Sequence, residues 1–589
     1  MELGALPRWD LADLYPGIEA AELSRDLTRA AADAEAFNGD FLGRVDDLAA
    51  DDLAAAIERY EAIKERLGRI SSYAQLCHAG QMDDPGISRF FQTARERVTD
   101  ITSKLLFFRL EVNRIEPPAL EAAVAASPRL ARYAPWLRDT RAFRPHQLPD
   151  DQERLLHEKQ VAGSAAWMRL FDETLAAMRF DVAGEEMSLE QTLHQLSEPA
   201  ADRRQAAAKA LGAAFAERKP LFALITNTLA KDKEIEDKWR RFETPEAARH
   251  LGNHVEGEVV EALRSAVVEA YPRLAHRYYR LKAGWFGQEA LDYWDRNAPL
   301  PKSGERSYPF EEARDIVLAA YAGFSPELAG IGRWFFEHDW IDAEARPGKS
   351  PGAFAHPTVP SAHPYLLLNY QGRVRDVMTL AHELGHGVHQ VLAAEQGALM
   401  ADTPLTLAET ASVFGEQLTF RALLERETSG DRRKAMLSTK TEDMLNTVVR
   451  QIAFYDFESR LHRERRQGEL AAERIDEIWL SVQGESLGPA IRLHDEYANF
   501  WCFIPHFIHS PFYVYAYAFG DCLVNSLYAV YQEQPDGFAA KYLDMLRAGG
   551  TLRHRELLAP FGLDASDPGF WQQGLEVISG MIDELEELA

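Results

Sequence analysis

Residues 364 to 392 read PYLLLNYQGRVRDVMTLAHELGHGVHQVL, and no other stretch limits the fold as tightly. PYLLLNY (364 to 370) is an apolar run of strand length, which predicts a buried strand closed by Gly372. From Asp376 the period becomes helical. Val377, Leu380, Leu384, Val388 and Val391 form one apolar stripe. His382 and His386, at i and i+4, lie on the opposite face about 40° apart. A strand therefore leads into a helix whose apolar side enters a core and whose histidine pair faces a cleft.

Around this pair the pattern is mostly helical. Apolar residues recur at helical spacing over 18 to 37, ending at Asn38-Gly39, then over 44 to 67 and 87 to 114. Shorter helices follow over 118 to 160, punctuated by Ser127-Pro128 and Pro145. MRFDVAGEEM (178 to 187) alternates around Ala183-Gly184 and predicts a hairpin. Helix resumes over 188 to 286, and 294 to 309 is a polar loop. Residues 343 to 363 are loop-like, with a short strand at Ala353-Phe354-Ala355, and from 374 onward the pattern is helical. The expectation is a mainly α protein with a small β-sheet next to the HELGH helix. Its sequence divides into an N-terminal helical region, 1–200, and a catalytic region, 201–589.

HELGH carries chemistry. Two histidines one helical turn apart present their imidazoles in one direction, the spacing of two zinc ligands. Glu383 stands about 100° round the helix, where a base reaches a metal-activated water. A third protein ligand is needed. Glu409 is the candidate, with 22 residues between it and His386. It lies on a helix expected to start at Thr403-Pro404, an N-cap and first-turn proline. The competing reading is a capping box, Thr406-x-x-Glu409. Glu416, two turns on, reads as a neighbour of the ligands or as solvated. His389 reads as a polar neighbour and not a ligand.

Composition narrows the partners. The formal net charge of −27 repels phosphate backbones, so no nucleic acid is expected. Three scattered cysteines, Cys77, Cys502 and Cys522, form neither a disulfide framework nor a thiolate metal site. MELGALPRWDLADLYP lacks the basic and apolar regions of a secretory signal, and a cytoplasmic location is expected. NFWCFIPHFIHSPFYVYAYAFGDCLV (499 to 524) has the length of a membrane span. Pro505, Pro511, His506 and His509 exclude that reading, so no membrane is expected. Ser510-Pro511 reads as an N-cap and first turn, which starts a helix at Phe512. On it Tyr513 and Tyr517 share a face, and Tyr515 lies opposite with Phe512 and Phe519. The tyrosine alternation also fits a strand.

AHELGHGVH followed by LAETASVFGE resembles the zinc oligoendopeptidases of the oligoendopeptidase F type, relatives of thimet oligopeptidase. PRWDLADLYP, PYLLLNYQGRVRDVMTLAHE and IPHFIHSPFYVYAYAFG extend the resemblance over nearly the whole chain. It implies two helical lobes around a deep substrate channel, one Zn2+ per chain, and hydrolysis of short peptides with folded proteins excluded. It implies His382, His386 and Glu409 as metal ligands and Glu383 as general base. His506 and Tyr517 are the implied transition-state contacts, and Tyr513, His509, Asn369 and Tyr370 the substrate contacts. Tyr515 is expected in the core. The strand PYLLLNY is expected to pair with an extended peptide by edge addition. A monomer or homodimer is expected.

The function implied is zinc-dependent cleavage of internal bonds in short peptides. The nearest rival is a zinc carboxypeptidase with the same HExxH logic. A rival of another class is a peptide-binding protein with structural zinc, which usually has four ligands rich in cysteine. No cysteine lies near the motif.

Overall fold

The structure, a computed structural model, describes residues 3–300 and 306–588, so the loop expected over 294 to 309 lies partly outside the described residues. Helices dominate, as expected. The short strands are β1 (Phe180–Val182), β2 (Glu185–Met187), β3 (Leu291–Asp292), β4 (Ile341–Glu344), β5 (Phe354–His356), β6 (Tyr365–Tyr370) and β7 (Ile491–Arg492). No helix among the described residues is long and apolar enough to cross a membrane.

Compactness divides the chain differently from a cut near residue 200. One unit comprises Met1–Arg144, Glu305–Arg426 and Tyr531–Gly562, and the other Pro145–Gly304, Glu427–Val530 and Leu563–Ala589. Each draws on three separated stretches.

In the first unit, helices Ala21–Phe41 and Ala50–Gly80 pack around Phe37, Tyr60, Phe108 and Trp136. The expected stop at Asn38-Gly39 does not occur. Phe41 packs on Phe37 with ring centroids 4.8 Å apart, which carries the helix a further turn, and Gly43 at φ 75° makes the exit. The sheet is ordered β4-β6-β5, with β4 parallel and β5 antiparallel to β6. PYLLLNY is thus the central strand. β4 and β5 flank it on both sides, so the expected edge addition of a peptide to it does not hold.

The helix after β6 is Val374–Ala393. Val377, Leu380, Leu384 and Val388 are fully buried on it, while Val391 is half-buried. Two glycines let it sit unusually close to its neighbours. A Cβ at Gly385 would lie 2.5 Å from the Ala411 carbonyl oxygen and 2.7 Å from Ser412 Cα; one at Gly387 would lie 2.6 Å from Phe335 Cζ. The second unit holds the β1–β2 hairpin expected at Ala183-Gly184, a 40-residue helix Ala201–Arg240, and the parallel pair β3–β7.

Candidate metal centre and active site

The helix over Glu409 is not continuous from Thr403. It consists of Leu405–Ala408 and Thr410–Arg426, with Glu409 between them at φ −77° and ψ −1°. That backbone region is sparsely occupied and common at active sites. Thr410 holds the junction: its hydroxyl donates to the Leu407 carbonyl at 2.6 Å, and its own carbonyl accepts from the Tyr542 hydroxyl at 2.8 Å. Gly415, one turn on, leaves room for the Tyr321 ring, whose hydroxyl donates to the Ala381 carbonyl at 2.6 Å. These contacts fix the two helices around one point.

At that point a Glu409 carboxylate oxygen lies 3.4 Å from Nε2 of His382 and 3.4 Å from Nε2 of His386. One donor atom from each of the three residues falls within 4.8 Å of the others. Two imidazole nitrogens and a carboxylate oxygen are the donor set of a catalytic zinc site, so the chemistry of these residues fits that ion. Glu409 faces the histidines and is not merely a helix cap. The Ser412 hydroxyl donates to the same Glu409 oxygen at 2.6 Å, a partner the sequence signalled only by its i+3 spacing. Glu416 stands behind His382, 3.3 Å from Nδ1, which leaves Nε2 turned to the site.

The charges agree with this geometry. Burial would lower the His382 imidazole, but the bond to Glu416 and the nearby Glu409 and Glu383 carboxylates hold it up at about 9. Burial would raise Glu409, but His386 and His382, with Ser412, bring it to about 2. Burial lifts Glu383 above the ordinary carboxylate range, against the pull of His382 and His386. His389 is buried and set apart: its Nε2 meets the Thr403 hydroxyl at 3.3 Å, and burial, then His386, brings it down to about 4. A cavity of about 1050 Å³ opens beside His386 and is lined also by Gln390, Thr403 and Trp334.

Other expected residues fall elsewhere. Tyr370 is buried, its ring against Phe310 and its hydroxyl donating to the Tyr308 carbonyl at 2.8 Å. It is a core residue and not a substrate contact. Asn369 donates to the carbonyls of Ser350 and Gly352 at 3.0 and 2.9 Å, which holds the loop before β5. His509 pairs with Asp172 at 2.8 Å.

In the second unit the helix does not begin after Ser510-Pro511. Phe512 takes φ 60°, donates its N–H to buried Glu458 at 2.9 Å and lays its ring against His462, so the helix starts at Tyr515. The expected phase nevertheless holds. Tyr513 and Tyr517 are half-buried with rings 5.2 Å apart, whereas Tyr515 is fully buried. The Tyr515 hydroxyl accepts from Asn253 at 2.9 Å and meets His250 Nδ1 at 3.2 Å. His506 Nε2 lies 3.2 Å from the Tyr517 hydroxyl, and its ring stacks toward Tyr513. Burial, then Arg450 and His509, lowers the His506 pKa.

Comparison with known proteins decides the family. Residues 194–577 match the profile of peptidase family M3, and residues 111–180 match that of oligopeptidase F. The chain belongs to peptidase family M3. As a member of that metallopeptidase family it is a peptidase acting on oligopeptides. This M3 peptidase is 26% identical to oligopeptidase PepF of Bacillus subtilis, over 100% of this chain and 88% of that one. Its fold is that of a solved chain from Chlamydophila abortus, at TM-score 0.86 and 23% identity, covering 99% and 98% of the two chains. Oligoendopeptidase-F from Enterococcus faecium aligns at TM-score 0.70 and 22% identity, covering 96% and 97%.

Proposed function

We propose that this M3 peptidase is a zinc-dependent oligoendopeptidase that cuts internal bonds of short peptides. The observation that carries the reading is the convergence of His382, His386 and Glu409 within 4.8 Å, with the buried Glu383 on the helix of the two histidines. One Zn2+ would be held by those three residues, and when bound it supplies Lewis-acid polarisation of the scissile carbonyl and acidifies the attacking water.

The chain's own residues do the rest. Glu383, raised by burial, takes a proton from the attacking water and passes it to the leaving amine. Ser412 and Glu416 fix the orientation of Glu409 and His382. An extended peptide pairs with the outer edge of β5, whose Ala355 backbone also hydrogen-bonds Glu383. The Tyr517 hydroxyl, backed by His506, donates to the developing oxyanion, with Tyr513 beside it as a binding surface. Family resemblance supports these last roles. It also supports a deep channel that excludes folded proteins, and a catalytic region spanning 201–589. A cytoplasmic location is part of the proposal, and three free cysteines are compatible with it.

Elemental analysis of protein purified without added metal tests the centre. One zinc per chain is expected, with loss on His386→Ala. Stoichiometric zinc retained by that variant would contradict the ligand assignment.

A further inference from the structure

A second cavity, of about 250 Å³, lies within the second unit and is walled by Tyr293, Trp294, Phe454 and Trp479. Two arginines, Arg296 and Arg450, line it. Neither has an anionic hydrogen-bonding partner among the described residues. The Nε of Arg296 is buried without any partner, and its guanidinium reaches only the Tyr497 hydroxyl. Among the described residues the Arg450 guanidinium has no hydrogen bond or ion pair; its contact is the face of Phe454, 4.9 Å from the ring centroid. The neighbouring charges leave these two over. Arg204 is paired with Asp295 at 2.7 Å, and Lys282 takes Glu442, which also accepts from Tyr278. Four cations therefore meet two carboxylates. In a chain with 92 acidic residues against 65 Lys and Arg, two adjacent unpaired guanidiniums are not an average of the surface.

Both arginines are half-buried, and a partly desolvated cation without a carboxylate partner gains from an anion that shares its cavity. Burial and the adjacent Arg296 pull the Arg450 guanidinium down to about 10, the direction expected of a cation lacking a counter-ion; burial acts on Arg296 in the same sense, but Tyr497, Tyr279 and Glu442 outweigh it and raise that group. The aromatic walls suit an apolar body behind the anionic head. The volume is below the roughly 300–1,000 Å³ of pockets that enclose drug-sized ligands, so it fits the end of a chain and not a whole peptide. The place is apt as well. Phe507, next to His506, packs on Phe454 with centroids 5.4 Å apart, and the charge of Arg450 reaches His506.

We propose that Arg296 and Arg450 form a carboxylate-binding site that anchors the carboxy-terminal residue of a peptide substrate, its side chain resting on the aromatic walls. The guanidinium fork matches a carboxylate by two parallel hydrogen bonds. This deepens the peptidase reading and rests on it for the identity of the ligand as a peptide. A carboxylate on an Asp or Glu side chain would satisfy the same chemistry.

The test reads binding, not turnover, in metal-loaded protein carrying Glu383→Gln. One heptapeptide without acidic residues is compared with its carboxy-terminal amide. The free acid is expected to bind roughly 10- to 100-fold more tightly. Adding Arg450→Gln or Arg296→Gln should bring the free acid down to the affinity of the amide. A third peptide, amidated but with Glu at its last position, separates the sources: a gap that follows Glu keeps the carboxylate site and moves its occupant to a side chain. Equal binding of all three peptides overturns the proposal, as does equal weakening of acid and amide by Arg450→Gln. If the acid–amide gap appears but wild-type protein cuts nothing, the peptidase reading fails and the site stands. A measurement on wild-type protein alone guards against misfolded variants. Benzoate should raise its Tm and benzamide should not, and no rise with benzoate overturns the site. Removing the unpaired charge by Arg450→Gln should itself raise the Tm of the unliganded protein.

Discussion

At the residue scale, the three tyrosines near position 515 are separated by what their hydroxyls touch. Tyr517 faces His506 at 3.2 Å, while Tyr515 is spent on Asn253 and His250 in the core. A donor to the oxyanion acts mainly in the transition state. Tyr517→Phe should therefore lower kcat and kcat/KM together, by roughly 10²–10³, with KM little changed. His506→Ala should follow it, and Tyr513→Phe should act more on KM. Tyr515→Phe should leave kcat intact and lower stability by about 1 kcal/mol through a lost buried hydrogen bond. Steady-state kinetics on one quenched-fluorescent peptide, with a thermal melt of each variant, separate these outcomes. A Tyr515→Phe variant with the largest kcat loss would remove Tyr517 from its role.

At the element scale, the centre depends on how closely two helices approach. Gly385, inside the HELGH motif, sits where a Cβ would meet the Ala411 carbonyl at 2.5 Å. Gly385→Ala must push Val374–Ala393 away from Thr410–Arg426, and Glu409 moves with the latter. Overpacking of this kind costs about 1–3 kcal/mol. The expected result is zinc affinity lower by roughly 10- to 100-fold, as for other changes that disturb ligand support. Competition with a chelator of known affinity measures it, and unchanged affinity would show that the close approach does not set the ligand geometry.

The same elements show what a sequence makes legible. His382, Glu383 and His386 were readable because their geometry follows from helical spacing alone. Glu409 was readable as a candidate, but not its place between two helices, because that break depends on Tyr542, more than a hundred residues away. The late start of the helix at Tyr515 depends on buried Glu458, which no local pattern signals. PYLLLNY read correctly as a buried strand, yet its central position depends on β4 and β5 pairing with it. Tyr370 illustrates the limit. The resemblance placed it among the substrate contacts, and only packing against Phe310 shows it to be core.

At the scale of the whole molecule, each compact unit is assembled from three stretches of chain, so stability is shared widely along the sequence. Two buried histidines of the second unit make that stability depend on acid. Burial lowers His250 to about 4, and burial with Lys233 and Arg466 lowers His462 to about 3. Both lie below the ordinary histidine value of about 6.5, so the unfolded chain binds protons that the folded chain refuses. Their contribution is complete above about pH 6.5 and is lost as pH falls toward 4, by roughly 1–3 kcal/mol each. Tm measured across that interval should fall steeply, and His462→Gln should flatten the fall. A Tm independent of pH there would mean that these imidazoles are protonated in the folded chain.

The central claim is that this M3 peptidase cuts inside short peptides through a metal centre whose base is Glu383. The most direct measurement is mass spectrometry of a peptide of about a dozen residues, acetylated at one end and amidated at the other, after incubation with zinc-loaded wild-type protein and with Glu383→Gln in parallel. The account predicts internal cleavage by the wild type and almost none by Glu383→Gln, with zinc content equal in the two. An intact peptide with the wild type, or equal cleavage by both proteins, would contradict it.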